Sequence, residues 1–172
     1  MNWRVIRAVL IGSVATSAAA CMASGDGQSP AAAAQVIFSA SMCGDTSRGP
    51  QVTWLDSAPA LQAVYDRIHR HQVGGDGRPP ALVDFSSRAV LWVQMGMQPS
   101  AGYGLRLQDP GAGIGADTLT LHVSWLEPAP GRLYAQVVTH PCLLVTVPKA
   151  GYRRIQVRDQ HGALRMQTEI SR

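Results

Sequence analysis

The residues of this chain that could do chemistry are few: five histidines, three cysteines and a serine in a prominent turn. A metal pair on a helix needs histidines four apart, with a third ligand elsewhere. His69 and His71 are two apart, so on a helix they point in different directions. His122 falls on the polar face of an alternating segment, and His140 and His161 fall in turns. All five read as solvated side chains, and neither a metal nor any other cofactor is expected. Nucleophilic catalysis needs a serine or cysteine beside a base and an orienting group. Ser100 has no Gly-x-Ser-x-Gly elbow around it, and Cys43 and Cys142 are better explained as a structural pair. Asp84, between Val83 and Phe85, reads either as a buried functional acid or as a carboxylate binding nearby backbone. The glycines at 111, 113 and 115 have the look of a phosphate loop, which requires a helix N-terminus directly after them. The residues that follow, ADTLTLHVSW, are strand-like, so a hairpin is expected there instead. No catalytic residue is assigned, and the chain is not expected to be an enzyme.

The cysteines are better understood together with the N-terminus. Residues 1–20 carry Arg4 and Arg7, no acid, and then the apolar stretch AVLIGSVATSAAA. A basic start, a short apolar core and small residues before the cut mark a secretory signal. That stretch is about 13 residues, against about 20 for a membrane-spanning helix. Ala18-Ala19-Ala20-Cys21 is similar to a bacterial lipobox, which implies lipidation of Cys21; the alternative is plain Ala-x-Ala cleavage with a free thiol. With Cys21 lipidated, Cys43 and Cys142 remain as one candidate disulfide. That bridge would close a loop of about 100 residues, worth about 4 kcal/mol by chain entropy. The expected setting is a periplasm-facing lipoprotein of the cell envelope, at the outer membrane rather than the inner, held to the membrane through its lipid alone.

Charge narrows the partners. The full chain carries +4, but without Arg4 and Arg7 only +2 remains. That is no electrostatic footprint for nucleic acid. Residues 21–35 are small and polar with no apolar period and read as a flexible linker; residues 36–172 are long enough for one core and one domain.

Along that domain one helix is expected, from Pro59 to His71, with Asp56 or Ser57 as cap. Leu61, Val64, Tyr65 and Ile68 form its apolar stripe. The remainder is strand-like: 36–39, 51–55, 82–85, 89–95, 103–107, 118–125, 133–139, 142–147, 152–158 and 163–168, with no internal repeat. The segment 118–125 alternates most cleanly. The fold class expected is mainly β, a sandwich or barrel-like antiparallel sheet with one N-terminal amphipathic helix.

Between two of the apolar strands lies the turn Gln98-Pro99-Ser100-Ala101-Gly102-Tyr103. Proline presets φ, glycine permits conformations closed to other residues, and tyrosine offers an amphipathic ring. The turn reads either as a partner-binding loop or as a tight hairpin whose Tyr103 packs inward.

Val83–Phe85 (VDF), the apolar strand to Gly96 and the G-x-x-P-S-A-G-Y run at Gly96–Tyr103 resemble the PrcB C-terminal domain family. The EPAPG turn at Glu127–Gly131 and THPCLLVTVPK at Thr139–Lys149 fit as well, so the likeness spans about 82–159. The resemblance implies a lipoprotein subunit that is a non-catalytic, stabilising partner in a bacterial envelope protease complex. The same turn is also similar to the Asn-Pro-Thr-Thr-Gly-Tyr loop of chagasin-type cysteine-protease inhibitors, which are β-sandwiches. This chain has no Asn before Pro99 and no Arg-Pro-Trp partner loop. The expected function is therefore a non-enzymatic interaction or stabilising module for an envelope protein, a protease among the candidates. A chagasin-like inhibitor and a small-ligand or glycan binder are the alternatives.

Overall fold

The computed structural model describes residues 34–44, 47–71, 79–109, 113–114 and 117–170. The expected signal, Cys21 and nearly all of the linker lie outside them. The elements in chain order are β1 (Gln35–Ala40), β2 (Gln51–Leu55), α1 (Ala58–His71), β3 (Arg88–Gln94), β4 (Gly104–Leu107), β5 (Gly113–Ile114), β6 (Thr118–Leu126), β7 (Cys142–Pro148), β8 (Arg154–Arg158) and β9 (Leu164–Glu169). They form two sheets, one ordered β1-β7-β3-β2 and the other β4-β6-β8-β9 with β5 also on β6.

Burial explains why the strands look different in the sequence. In β3, Ala89, Leu91 and Val93 face the other sheet, while Val90 and Trp92 face α1. In β7, Leu143, Val145 and Val147 join the inter-sheet core and Leu144 goes under the helix. A strand covered on both faces needs a continuous apolar run, and both strands have one. The second sheet is covered on one face only, so β6 alternates: Leu119, Leu121, Val123 and Trp125 are buried and the residues between them are half-buried.

Helix α1 lies over the outer face of the first sheet. Its stripe Leu61, Val64, Tyr65 and Ile68 is buried, and the Leu61 N–H donates to Ser57 O at 3.1 Å, which makes Ser57 the residue at the helix start. Beside that stripe, Arg67 reaches back to the sheet, its guanidinium 5.3 Å from the centre of the Trp92 ring.

Three expectations are corrected. β6 and β8 run parallel, whereas every other strand pair is antiparallel. The chain leaves β6, crosses to the first sheet to make β7, and only then returns to make β8. A crossover of this kind brings the two strands back in the same direction.

Residues 82–85 are not a strand. Asp84 accepts hydrogen bonds from the Ser86 N–H (3.0 Å), Ser86 Oγ (2.6 Å) and Ser87 Oγ (2.6 Å), and its own carbonyl accepts from Arg88 N–H at 2.9 Å. These bonds bend the chain into a turn ahead of β3. Lys149 Nζ ties that turn to the start of α1, donating to Phe85 O at 2.6 Å and Asp56 O at 3.2 Å. Asp84 is exposed and acts on local backbone and hydroxyls, not as a buried acid.

Residues 133–139 are likewise not a strand. The chain here crosses the end of the sandwich from one sheet to the other, where only Thr139 finds a strand-like partner, in Gln98. Apolar β-branched residues do not make a strand without a neighbouring edge.

Cys43 and Cys142 are bonded, with Cα atoms 6.0 Å apart and a sequence separation of 99. Both are buried beneath α1 with Leu144 and Trp92. Replacing both by serine is expected to lower the unfolding free energy by about 2–5 kcal/mol, read from urea unfolding. An unchanged midpoint would show that packing alone holds this end of the sheet.

The Ser86 hydroxyl, then the Ser87 hydroxyl and the Ser86 N–H, with the Lys149 charge nearby, lower the pKa of Asp84 to about 2. A depressed carboxylate contributes stability that is complete above its unfolded pKa, near 4, and is lost as pH falls toward the folded value. Wild type should therefore exceed Asp84→Asn in urea midpoint at pH 6, and the gap should close between pH 4 and pH 2. A gap that stays constant with pH would mean that the ionised form contributes nothing special.

Candidate functional site

The turn after β3 is shaped by two glycines with positive φ. Gly96 has φ +76°, and a Cβ there would lie 2.7 Å from the carbonyl oxygen of Gly49. Gly102 has φ +98°, and a Cβ there would lie 2.6 Å from the ring of Tyr134. Neither position accepts another residue without strain. Ala101 needs no such freedom, because no non-glycine residue has positive φ among the described residues.

Between and around these glycines the backbone is pinned from both sides. Met95 N–H donates to Pro141 O (2.9 Å) and Met97 N–H to Ser47 O (3.0 Å). Gln98 and Thr139 exchange two backbone hydrogen bonds, at 2.8 and 2.9 Å. Thr139 Oγ1 donates to Ser100 O at 3.0 Å, and Ala101 N–H donates to Ala135 O at 2.9 Å. The connecting strap, residues 127–141, is thereby laid against the turn. Tyr134 anchors its middle: the ring rests on Gly102 and the hydroxyl accepts from Ala129 N–H at 3.0 Å.

Each residue of the expected loop has a definite place. Pro99 and Gly102 are exposed, Gln98 and Ala101 are half-buried, and Ser100 is buried. Tyr103 is half-buried with its side chain packed against the inter-sheet core. The turn is no hairpin, since the strands it joins, β3 and β4, belong to different sheets.

What faces outward is a surface that reading the turn alone missed. Side chains next to an antiparallel bridge alternate in direction. The Gln98–Thr139 bridge therefore places Met97, Pro99 and Val138 on one side, with Thr139 buried on the other. Met97 is 44% exposed, Val138 49% and its neighbour Val137 48%. Further along the strap Leu133 is fully exposed. Met97 and Val138 sit on backbone tied down by the contacts above. The sequence contains them as an ordinary β-like run, and no local signal separates them from a buried strand.

Residues 89–148 match the family model described as PrcB C-terminal. No curated protein and no solved structure matches the chain. The PrcB C-terminal match covers about a third of the chain, narrower than the likeness over about 82–159. It begins in β3 and ends in β7, which pair with each other from Arg88↔Pro148 to Gln94↔Cys142. The matched segment thus contains the turn, the strap and the two central strands that carry them. Helix α1, β1, β2, β8 and β9 lie outside it.

The remaining chemistry-bearing residues stay apart. Among the described residues, no three of His, Cys, Asp or Glu are grouped to hold a metal ion. His69 and His71 are in the last turn of α1, His122 is on the outer face of β6, and His161 is in the hairpin before β9. His140 belongs to the bridge beside Met42. Of the glycine run at 111–115, residues 113–114 pair with β6 as β5, and the next described element is strand β6, not a helix. No described helix is long and apolar enough to cross a membrane.

Gly102→Val is expected to destabilise the protein by about 1–3 kcal/mol through backbone strain, with a further loss from displacing Tyr134. Thermal or urea unfolding reads the total, and a change within 0.5 kcal/mol would contradict the packed arrangement of turn and strap.

Proposed function

We propose that this protein is a non-enzymatic envelope lipoprotein module that binds and stabilises an envelope protein partner, a protease being the partner class that the family match points to. The observation that carries this reading is the exposed apolar face Met97/Pro99/Val138. It projects from backbone already fixed by hydrogen bonds on both sides. A rigid surface of this kind loses little conformational entropy on binding. Large apolar side chains gathered on such a surface mark an interaction site. The module would be exported, processed ahead of Cys21 and tethered by lipid at that residue. The residues before Gln35 would give it reach from the outer membrane, facing the periplasm. The contact surface comprises the exposed part of Gln98–Tyr103 with Met97 and Val138; Tyr103 itself supports the loop from below.

The test is crosslinking and co-purification from the native envelope, comparing wild type with a Met97→Gln/Val138→Thr variant of verified folding. One saturable partner is expected with wild type, reduced at least tenfold in the variant. Equal recovery with both forms would remove this face as the interface. If the partner is a protease, its half-life should lengthen in the complex while its turnover stays unchanged. Dose-dependent loss of turnover would instead establish an inhibitor.

A further inference from the structure

At the far end of β6 the start of the strap and the hairpin before β9 leave an open cleft of about 490 Å³. β8 pairs with β6 only as far as His122↔Arg158 and then turns away into the hairpin before β9. The last residues of β6 therefore lose their strand neighbour on that side, and Gln160 replaces it. Its Oε1 accepts from the Trp125 N–H at 2.7 Å, and its Nε2 donates to Trp125 O at 3.3 Å. The walls include Trp125, Pro128, Pro130, Gln160 and His161, with Arg165 and Glu127 as the charged members.

Arg165 is held in an unusual way for a partly exposed arginine. Its Nε donates to Asp159 Oδ2 at 2.7 Å, and its guanidinium lies 5.1 Å from the centre of the Trp125 ring. Asp159 is 2% exposed and is itself locked by the N–H groups of His161 (2.8 Å) and Ala163 (3.0 Å). Burial would raise its pKa, but those two N–H groups and Arg165 together hold it below the ordinary value, so it is ionised at neutral pH. The arginine is thus fixed by one edge and one face. Its two Nη groups make no hydrogen bond to another described residue. A guanidinium whose rotamer is already set presents a planar fork for a carboxylate at little entropic cost.

We propose that this cleft binds the carboxylate of a polypeptide segment, held by the Nη groups of Arg165 with the adjoining residues lying over Trp125, Pro128 and Pro130. The cleft is open, which suits a chain passing through it better than an enclosed small molecule. The carboxylate is either a chain terminus or an acidic side chain. Glu127 stands in the same cleft and opposes an anion there, so its charge sets the sign of a test. The site requires nothing of the Met97/Val138 face and is tested without any partner.

The experiment follows the Trp125 indole and Gln160 side-chain amide signals by NMR while the purified protein is titrated with three acetylated Thr-Val-Thr-Val-Leu peptides. One ends in a free carboxylate, one in an amide, and one in an amide with glutamate at its third position. Saturable shifts are expected with the first, the third or both, and which of them acts identifies the carboxylate as terminal or side-chain. Arg165→Met, which keeps an aliphatic chain over Trp125, is expected to weaken that binding roughly tenfold or more. Glu127→Gln is expected to tighten it roughly two- to fivefold. The proposal is overturned if the plain amide binds as well as the carboxylate peptides, if neither carboxylate peptide produces shifts at millimolar concentration, or if Glu127→Gln weakens binding. Should Arg165→Met fail to fold, Glu127→Gln still decides the sign.

Discussion

The pairing of β3 with β7 is the constraint on which the rest depends. Seven consecutive residue pairs join the two strands, and both are covered on each face, by the second sheet on one side and by α1 on the other. Such a pair tolerates neither a register slip nor a charged substitution, because a one-residue shift exchanges the residues facing the helix with those facing the sheet. The disulfide clamps the Cys142 end of β7 to the segment that follows β1, so sequence-distant parts of the first sheet meet at one edge. What emerges beyond that end, the turn after β3 and the strap before β7, inherits its position from the pair. That is why an irregular stretch of chain can present side chains in a fixed arrangement.

Turn and strap illustrate a division of labour within a single surface. Glycines 96 and 102 let the chain approach neighbouring backbone and an aromatic ring more closely than any other residue would allow. The hydrogen bonds between Gln98 and Thr139, and from Ala101 to Ala135, then hold the approach. Tyr103, one of whose two expected roles was to pack inward, and Tyr134 are spent on holding the structure together. The aliphatic neighbours Met97 and Val138 are left to face solvent. Aromatic rings are the costlier groups to leave hydrated, so they are drawn inward when a core position is within reach.

Much of this fold was legible in the residues, for reasons that differ by element. The α1 stripe follows helical spacing, and the β6 alternation reflects a sheet with one wet face. The unbroken apolar runs of β3 and β7 reflect strands with none. The cysteine pair followed from parity once Cys21 was set aside for lipid. Two apolar segments misled for one reason: at 82–85 and 133–139 side-chain type suggested strands, but no edge was in reach to pair with them. At 82–85 the carboxylate of Asp84 and two serine hydroxyls offered the backbone a competing turn. Nor does alternation in β6 and β8 encode which strands are neighbours or in which direction they run. The parallel pair is a property of the path taken between them. The turn at 98–103 was visible through Pro99 and Gly102, whereas its outward face depends on pairing with Thr139, some forty residues away.

The crossing between sheets also sets an order of events for folding. Among the described residues, β1 is made early in the chain but has its one strand neighbour in β7, and β2 is joined to β1 through β3 and β7. The first sheet therefore cannot close until the chain has been made through residue 148, by which point β4 and β6 have already been able to pair. Long-range pairings of this kind pay their loop-closure entropy before any contact rewards it, and they slow folding accordingly. Until β7 arrives, the facing edges of β1 and β3 lack the strand that will pair with both. The strap that carries the exposed Val138 thus leads directly into the strand whose arrival closes the sheet.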